Sequence, residues 1–194
     1  MNKLNENIFH QYNKWKSGYV RKENSLQLRL QKFLDEYEDR HVDWYHISED
    51  GKHVDCDINV YINDIDLIDG KFPFPFGKVK GDFFCDDCLK LISLEGAPEE
   101  VDGSFYCKRC TSLTSLVGAP KEVGGEFNCN DCKNLTSLVG VPKKIDGYFD
   151  CSGCENLTSI EGLPKEISGD LYIDGRFKGK IPNDVTINKI LWIN

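Results

Sequence analysis

The chain is poor in the features that mark several common functional classes. No apolar run approaches the ~20 residues needed to cross a bilayer. The opening Met1-Asn2-Lys3-Leu4-Asn5-Glu6-Asn7 does not begin a signal peptide. Base is in deficit: 24 Lys and Arg stand against 32 Asp and Glu, a formal charge of −8. A phosphate-binding face needs the opposite balance, so neither nucleic acid nor an anionic membrane surface is expected as a partner. Histidine is scarce, and His10, His41, His46 and His53 all precede residue 54. None sits in H-E-x-x-H, and neither G-x-S-x-G nor a phosphate-binding loop occurs. Asn63, Asp64, Asp66 and Asp69 lack the spacing of a calcium loop and read as solvated turn residues. Nothing here demands an enzyme.

What the chain does have is repetition. A 22-residue unit is written four times, from Gly81, Gly103, Gly125 and Gly147. Its centre runs Phe83-Phe84-Cys85-Asp86-Asp87-Cys88, then Phe105-Tyr106-Cys107-Lys108-Arg109-Cys110, then Phe127-Asn128-Cys129-Asn130-Asp131-Cys132 and Phe149-Asp150-Cys151-Ser152-Gly153-Cys154. A Leu-x-Ser-Leu/Ile step, a Gly-x-Pro step and a Val/Ile-x-Gly step follow each time. A fixed period of this length marks a solenoid, in which every unit buries its apolar face against its neighbours.

The flanks divide the rest. Residues 1–50 read as a helical N-terminal cap, with one helix from about Leu26 to Arg40 and a weaker one over Glu6 to Lys16. Residues 51–80 read as a hairpin and a degenerate first coil, with Trp44 to Ile47 pairing with Val54 to Ile62. Residues 81–169 hold the four repeats. In 170–194 the pattern decays: Leu171 and Ile173 replace the phenylalanine and first cysteine, and Arg176 replaces the second cysteine. This stretch reads as a degenerate C-terminal coil and cap.

Within a unit, strand alternation sends Phe105 and Cys107 inward and Tyr106 outward. Cys110, Leu113 and Leu116 then follow at three-residue steps, as in a chain bending round an arc. Leu113-Thr114-Ser115-Leu116, Leu135-Thr136-Ser137-Leu138 and Leu157-Thr158-Ser159-Ile160, each followed by Gly-x-Pro, carry a family likeness. The pattern resembles the leucine-rich repeat L-x-x-L-x-L-x-x-N/C-x-L. It is similar to the short bacterial type found in secreted effectors, and more so to repeat proteins of tailed bacteriophages. The resemblance covers about residues 65–190. It implies an α/β-type repeat solenoid of parallel strands whose strand side binds a protein partner, acting as a phage accessory or host-interaction protein in the bacterial cytoplasm. Gly-x-Pro stands where Leu-Pro is usual, implying a thinner convex side. The chain ends with its repeats, so the ligase domain of some effectors, and its activity, are not expected.

The nine cysteines offer a competing chemistry. Without an export signal, disulfides are not expected. Cys85-x2-Cys88-x18-Cys107-x2-Cys110 has zinc-ribbon spacing, and Cys129, Cys132, Cys151 and Cys154 repeat it. The alternative is a ladder of neutral thiols. In the resembled repeat, the second position holds an inward Asn or Cys bonded to the adjoining turn, and buried Cys behaves as a small hydrophobe. Ile173 at a first-cysteine position favours the ladder, and no cofactor is expected. Cys56, between Asp55 and Asp57, reads as a core residue with a raised pKa.

Outward positions vary while inward ones do not. One outward column is Phe84, Tyr106, Asn128, Asp150 and Tyr172, flanked by Tyr148, Lys108 and Arg109. These eight are the candidate partner-binding residues, because aromatic and arginine side chains dominate protein hot spots. Two other functions stay open: a zinc-binding module on the CxxC pairs, and an enzyme sited in the N-terminal segment near His41, His46 and His53. Native mass spectrometry of the reduced protein, prepared without chelator, separates ladder from zinc. The ladder requires the mass of the bare chain; one or two bound zinc ions would reassign the eight repeat cysteines as ligands.

Overall fold

The computed structural model describes residues 26–35 and 44–193. They form a parallel β-solenoid of about 6 turns with about 22 residues per turn, plus one helix. The helix expected over Glu6 to Lys16 lies outside the described residues.

Each turn contributes two short strands. One column comprises β2 (Val54–Cys56), β4 (Phe76–Val79), β6 (Glu100–Val101), β8 (Glu122–Val123) and β10 (Lys144–Ile145). The other comprises β3 (Val60–Tyr61), β5 (Phe83–Phe84), β7 (Phe105–Tyr106), β9 (Phe127–Asn128) and β11 (Phe149–Asp150). In the last turns the two columns fuse. The nine-residue β12 (Glu166–Asp174) pairs with β10 at one end and β11 at the other. The final strand, β13 (Thr186–Ile193), runs parallel to β12.

The repeat glycine explains how two short strands act as one bent strand. Gly125 N donates to Gly103 O at 2.8 Å, and Gly147 N to Gly125 O at 2.8 Å, so the ladder runs on through the bend. A Cβ on Gly147 would lie 2.7 Å from the Gly125 carbonyl carbon, closer than any side chain permits. The glycine is thus required by the approach of two backbones.

Between turns, like stacks on like. Phe83, Phe105, Phe127 and Phe149 are wholly buried. Phe83 and Phe105 stack at 5.4 Å and Phe105 and Phe127 at 5.3 Å, close to the spacing of paired strands. Val79, Val101, Val123, Ile145 and Ile167 form a second buried column, and Leu91, Leu113 and Leu135 a third.

The beginning of the solenoid differs from the sequence reading. The expected hairpin forms: β1 (Tyr45–Ile47) pairs antiparallel with β2, Tyr45 opposite Cys56. Its second arm, however, is already a full turn, because β2 pairs in parallel with β4 and β3 with β5. Val60 aligns with Phe83, one residue more than the period, which hides this turn from a search at 22. Helix α1 (Leu26–Asp35) packs on these first turns through Leu30, Phe33 and Leu34. The Phe33 ring meets Tyr45 and Phe74 edge-on at 5.7 and 5.3 Å.

Substituting Gly147→Ala should cost more than about 2 kcal/mol, because two backbones must part to admit the methyl group. Gly51→Ala, at φ 72 with nothing within 4 Å, should cost about 1 kcal/mol from conformation alone. Urea unfolding midpoints compare the two, and equal losses would refute the close-approach account.

Candidate binding face and the cysteine columns

The outward strand column begins one turn earlier than the sequence reading placed it. Tyr61 stacks on Phe84 at 4.8 Å, and Phe84 on Tyr106 at 4.9 Å, both pairs within 5° of parallel. Parallel pairing in register forces this, since each residue lies directly over its equivalent. Tyr61 is 56 % exposed, while Phe84 and Tyr106 are half-buried. The extra residue in the first turn conceals Tyr61, although its strand alternation is visible once the turn is known.

Polar groups continue the column. The Tyr106 hydroxyl donates to Glu126 Oε2 at 2.7 Å, and Lys108 Nζ lies 5.3 Å from the Tyr106 ring centre while pairing with Asp86 at 3.1 Å. Arg109 makes a two-pronged contact with Asp87 at 2.6 and 2.7 Å. Lys108 and Arg109 are therefore held by carboxylates of the preceding turn. Asn128 departs from expectation: it is only 5 % exposed, its Oδ1 accepting from Asn130 N at 3.1 Å. Its neighbours in the stack enclose it. Asp150 and Tyr172 are half-buried, and Tyr172 meets Tyr148 edge-on at 5.6 Å.

The face is thus an aromatic strip at one end, a tyrosine pair at the other, and a polar centre between. Burial raises the Asp150 carboxyl, against the lowering effect of Ser152, which donates both N–H and hydroxyl to Asp150 Oδ1. Burial also pushes the Tyr148 phenol up to about 12.

Eight of the cysteines occupy two inward columns, and all nine are buried, free thiols. In the first, the backbone carries the ladder, as with Cys107 N to Asn128 O at 2.8 Å. In the second, the thiols cross between turns. Cys110 Sγ donates to Cys85 O at 3.0 Å, Cys132 Sγ to Cys107 O at 3.0 Å and Cys154 Sγ to Cys129 O at 3.3 Å. Cys88 Sγ reaches Ile62 O at 3.4 Å in the same manner. Ile62 therefore stands where later turns carry their first cysteine. Burial raises the Cys88 and Cys151 thiols, which keeps them protonated and able to donate. Cys56 takes a valine position opposite Val79, and burial first, then Asp55 and Asp57, push its thiol up. Where a second cysteine is missing, the Arg176 guanidinium donates to Cys154 O at 2.5 Å.

Among the described residues, no three His, Cys, Asp or Glu side chains converge in a way that would hold a metal ion. His46 bonds Asp57 at 2.9 Å, and His53 lies 3.8 Å from Asp50, at the edge of an ion-pair contact. His41 lies outside the described residues. Asp64 and Asp66 accept backbone N–H groups of Lys90 and Asn63 at 2.8 Å, as turn residues do. Two hollows of about 870 and 510 Å³ lie off the strand face, beside the Gly-x-Pro turns. The larger is rimmed by Glu100, Lys121 and Lys144. Charges there are paired, along the stack for Lys121 with Glu99 at 3.0 Å and within one turn for Lys144 with Asp146 at 2.8 Å. Among the described residues no helix is long and apolar enough to cross a membrane.

Comparison of the chain with protein-family models, curated proteins and solved structures finds no match.

The raised Asp150 gives a pH test. Its folded pKa lies above the unfolded one, so its ionised form costs stability at neutral pH, and the cost disappears as pH falls through the folded pKa. Asp150→Asn keeps the acceptor for Ser152 and removes the charge. It should raise stability at pH ~7 by less than about 1 kcal/mol and change nothing near pH ~2, read by thermal melts across that range. Destabilisation at neutral pH would contradict the assignment.

Proposed function

We propose that this chain is a non-enzymatic interaction module that binds another protein through its strand face. The observation that carries the reading is the strip Tyr61–Phe84–Tyr106, three rings in register on a hydrogen-bonded ladder and open to solvent in part. Rings held this way lose little conformational freedom on binding, so their apolar area converts efficiently into affinity. Lys108 over Tyr106 adds a cation at the edge of the strip. Tyr148 and Tyr172 offer a second aromatic contact beyond the polar centre.

On this reading the solenoid is of the leucine-rich-repeat kind, and α1 caps its N-terminal end by covering Phe74 and Tyr45. The setting implied by the resemblance is the bacterial cytoplasm, as a phage accessory or host-interaction protein. The zinc alternative is weaker because the second-column thiols are engaged with carbonyls of the preceding turn. An N-terminal enzyme site finds little support in His46 and His53, each set beside its own aspartate.

The test is affinity capture from bacterial host lysate with the wild type and the Phe84→Ala/Tyr106→Ala double variant. Loss of about 2 kcal/mol or more per ring predicts that the partner is no longer retained. The variant must remain folded by circular dichroism, since both side chains project outward. The same partners on a folded double variant would place the binding site elsewhere.

A further inference from the structure

Charges on the strand face are unevenly paired. Lys108 and Arg109, the cations beside the aromatic strip, are taken up by Asp86 and Asp87 of the preceding turn. On the Gly-x-Pro side, Glu95, Glu99 and Asp146 each pair with a lysine. The outward column that precedes the strip has no such cations. It runs Asp82, Ser104, Glu126, Tyr148 and Asp170, each one residue before the paired inward positions Phe83 to Leu171. Asp82 accepts the Ser104 N–H at 2.8 Å, Glu126 the Tyr106 hydroxyl at 2.7 Å and Asp170 an Asn188 amide N–H at 2.8 Å. All three donors are neutral, and among the described residues none of these carboxylates forms an ion pair.

Two further groups on the face lack the same kind of partner. Asp150, in the strip's own column, has no cation either, and burial raises its carboxyl. Asn130 Oδ1, in the column of Lys108 and Ser152, is buried with no hydrogen-bond donor. A positively charged donor from outside the chain answers both.

The acidic column also sets a length. Asp82, Glu126 and Asp170 stand on alternate turns, with neutral Ser104 and Tyr148 between them. Two ladder steps of about 4.8 Å separate each from the next, about 9.6 Å in all. A polyproline II chain rises about 3.1 Å per residue and repeats its facing every three residues, at about 9.3 Å. A β-strand fits less well, because side chains on one of its faces recur at about 6.7 Å. A polyproline II chain lying along the solenoid axis therefore sets each third side chain over a carboxylate. The Phe84 and Tyr106 rings run beside that path, and aromatic surfaces are what such chains dock on.

Resting on the strand-face reading, we propose that the protein partner presents a proline-rich segment in polyproline II form with arginine or lysine at every third residue. Its cations face Asp82, Glu126 and Asp170, and its prolines lie along Phe84 and Tyr106.

Fluorescence anisotropy of the full chain with two labelled dodecapeptides tests this. One is four Pro-Pro-Arg repeats; the other has the same composition with its four arginines contiguous. The repeat should bind about tenfold tighter, because it alone sets a cation over every carboxylate of the column. Asp82→Asn/Glu126→Gln/Asp170→Asn keeps each hydrogen-bond acceptor and should weaken the repeat about tenfold. Glu95→Gln/Glu99→Gln/Glu161→Gln, an equal change of charge on the Gly-x-Pro side, should leave it within about twofold. Equal binding of the two peptides, equal losses in the two variants, or no binding of the repeat at about 1 mM would each overturn the proposal. Lysate capture that needs Phe84 and Tyr106 yet survives the strand-face triple variant would overturn it too, while leaving the strand-face reading intact.

Discussion

The spacing of a parallel backbone ladder governs this molecule. Each turn must set its N–H and C=O groups against those of the next at about 4.8 Å. Every side chain then lies one such step from its equivalent in the neighbouring turns. Residues that pack well against copies of themselves become obligatory inside, which explains flat stacks of phenylalanine and unbroken columns of valine, isoleucine and leucine. The glycine at each bend answers the same constraint, since two backbones pass too closely there for a side chain.

The constraint also gives the cysteines a structural role. A thiol at the second position is small enough to fit within one step and carries a proton to give. Its acceptor is the carbonyl of the first cysteine in the preceding turn, a group that faces the interior where the chain bends. At Cys88, the first thiol of this column, burial holds the proton in place. Spacing that resembles a zinc ribbon along the chain therefore becomes, across the chain, a set of links between turns.

Outside the core the same step shapes the surface. Variable positions are brought into register as firmly as constant ones, so three aromatic residues far apart in sequence become a stacked strip. Charges line up too: Arg109 meets Asp87 and Lys108 meets Asp86 because each is one turn from the other.

Much of this was legible in the sequence because a 22-residue period identifies neighbours directly. The inward columns and the outward column from Phe84 to Tyr172 follow from the period and strand alternation, whereas the strand that bends at each glycine does not. The first turn was not legible as a turn, because one added residue between Cys56 and Phe83 breaks the period without breaking the pairing. Tyr61 was missed as a member of the aromatic strip for that reason. The burial of Asn128 was also hidden, since it depends on how adjacent rings and carboxylates close over a short side chain. The sequence by itself determined which residues stack on which, because periodicity and pairing carry the same information. Only the tertiary structure decided how the first turn joins the ladder and which outward side chains remain exposed. Those outcomes depend on what lies beside each turn in space, and no period records that.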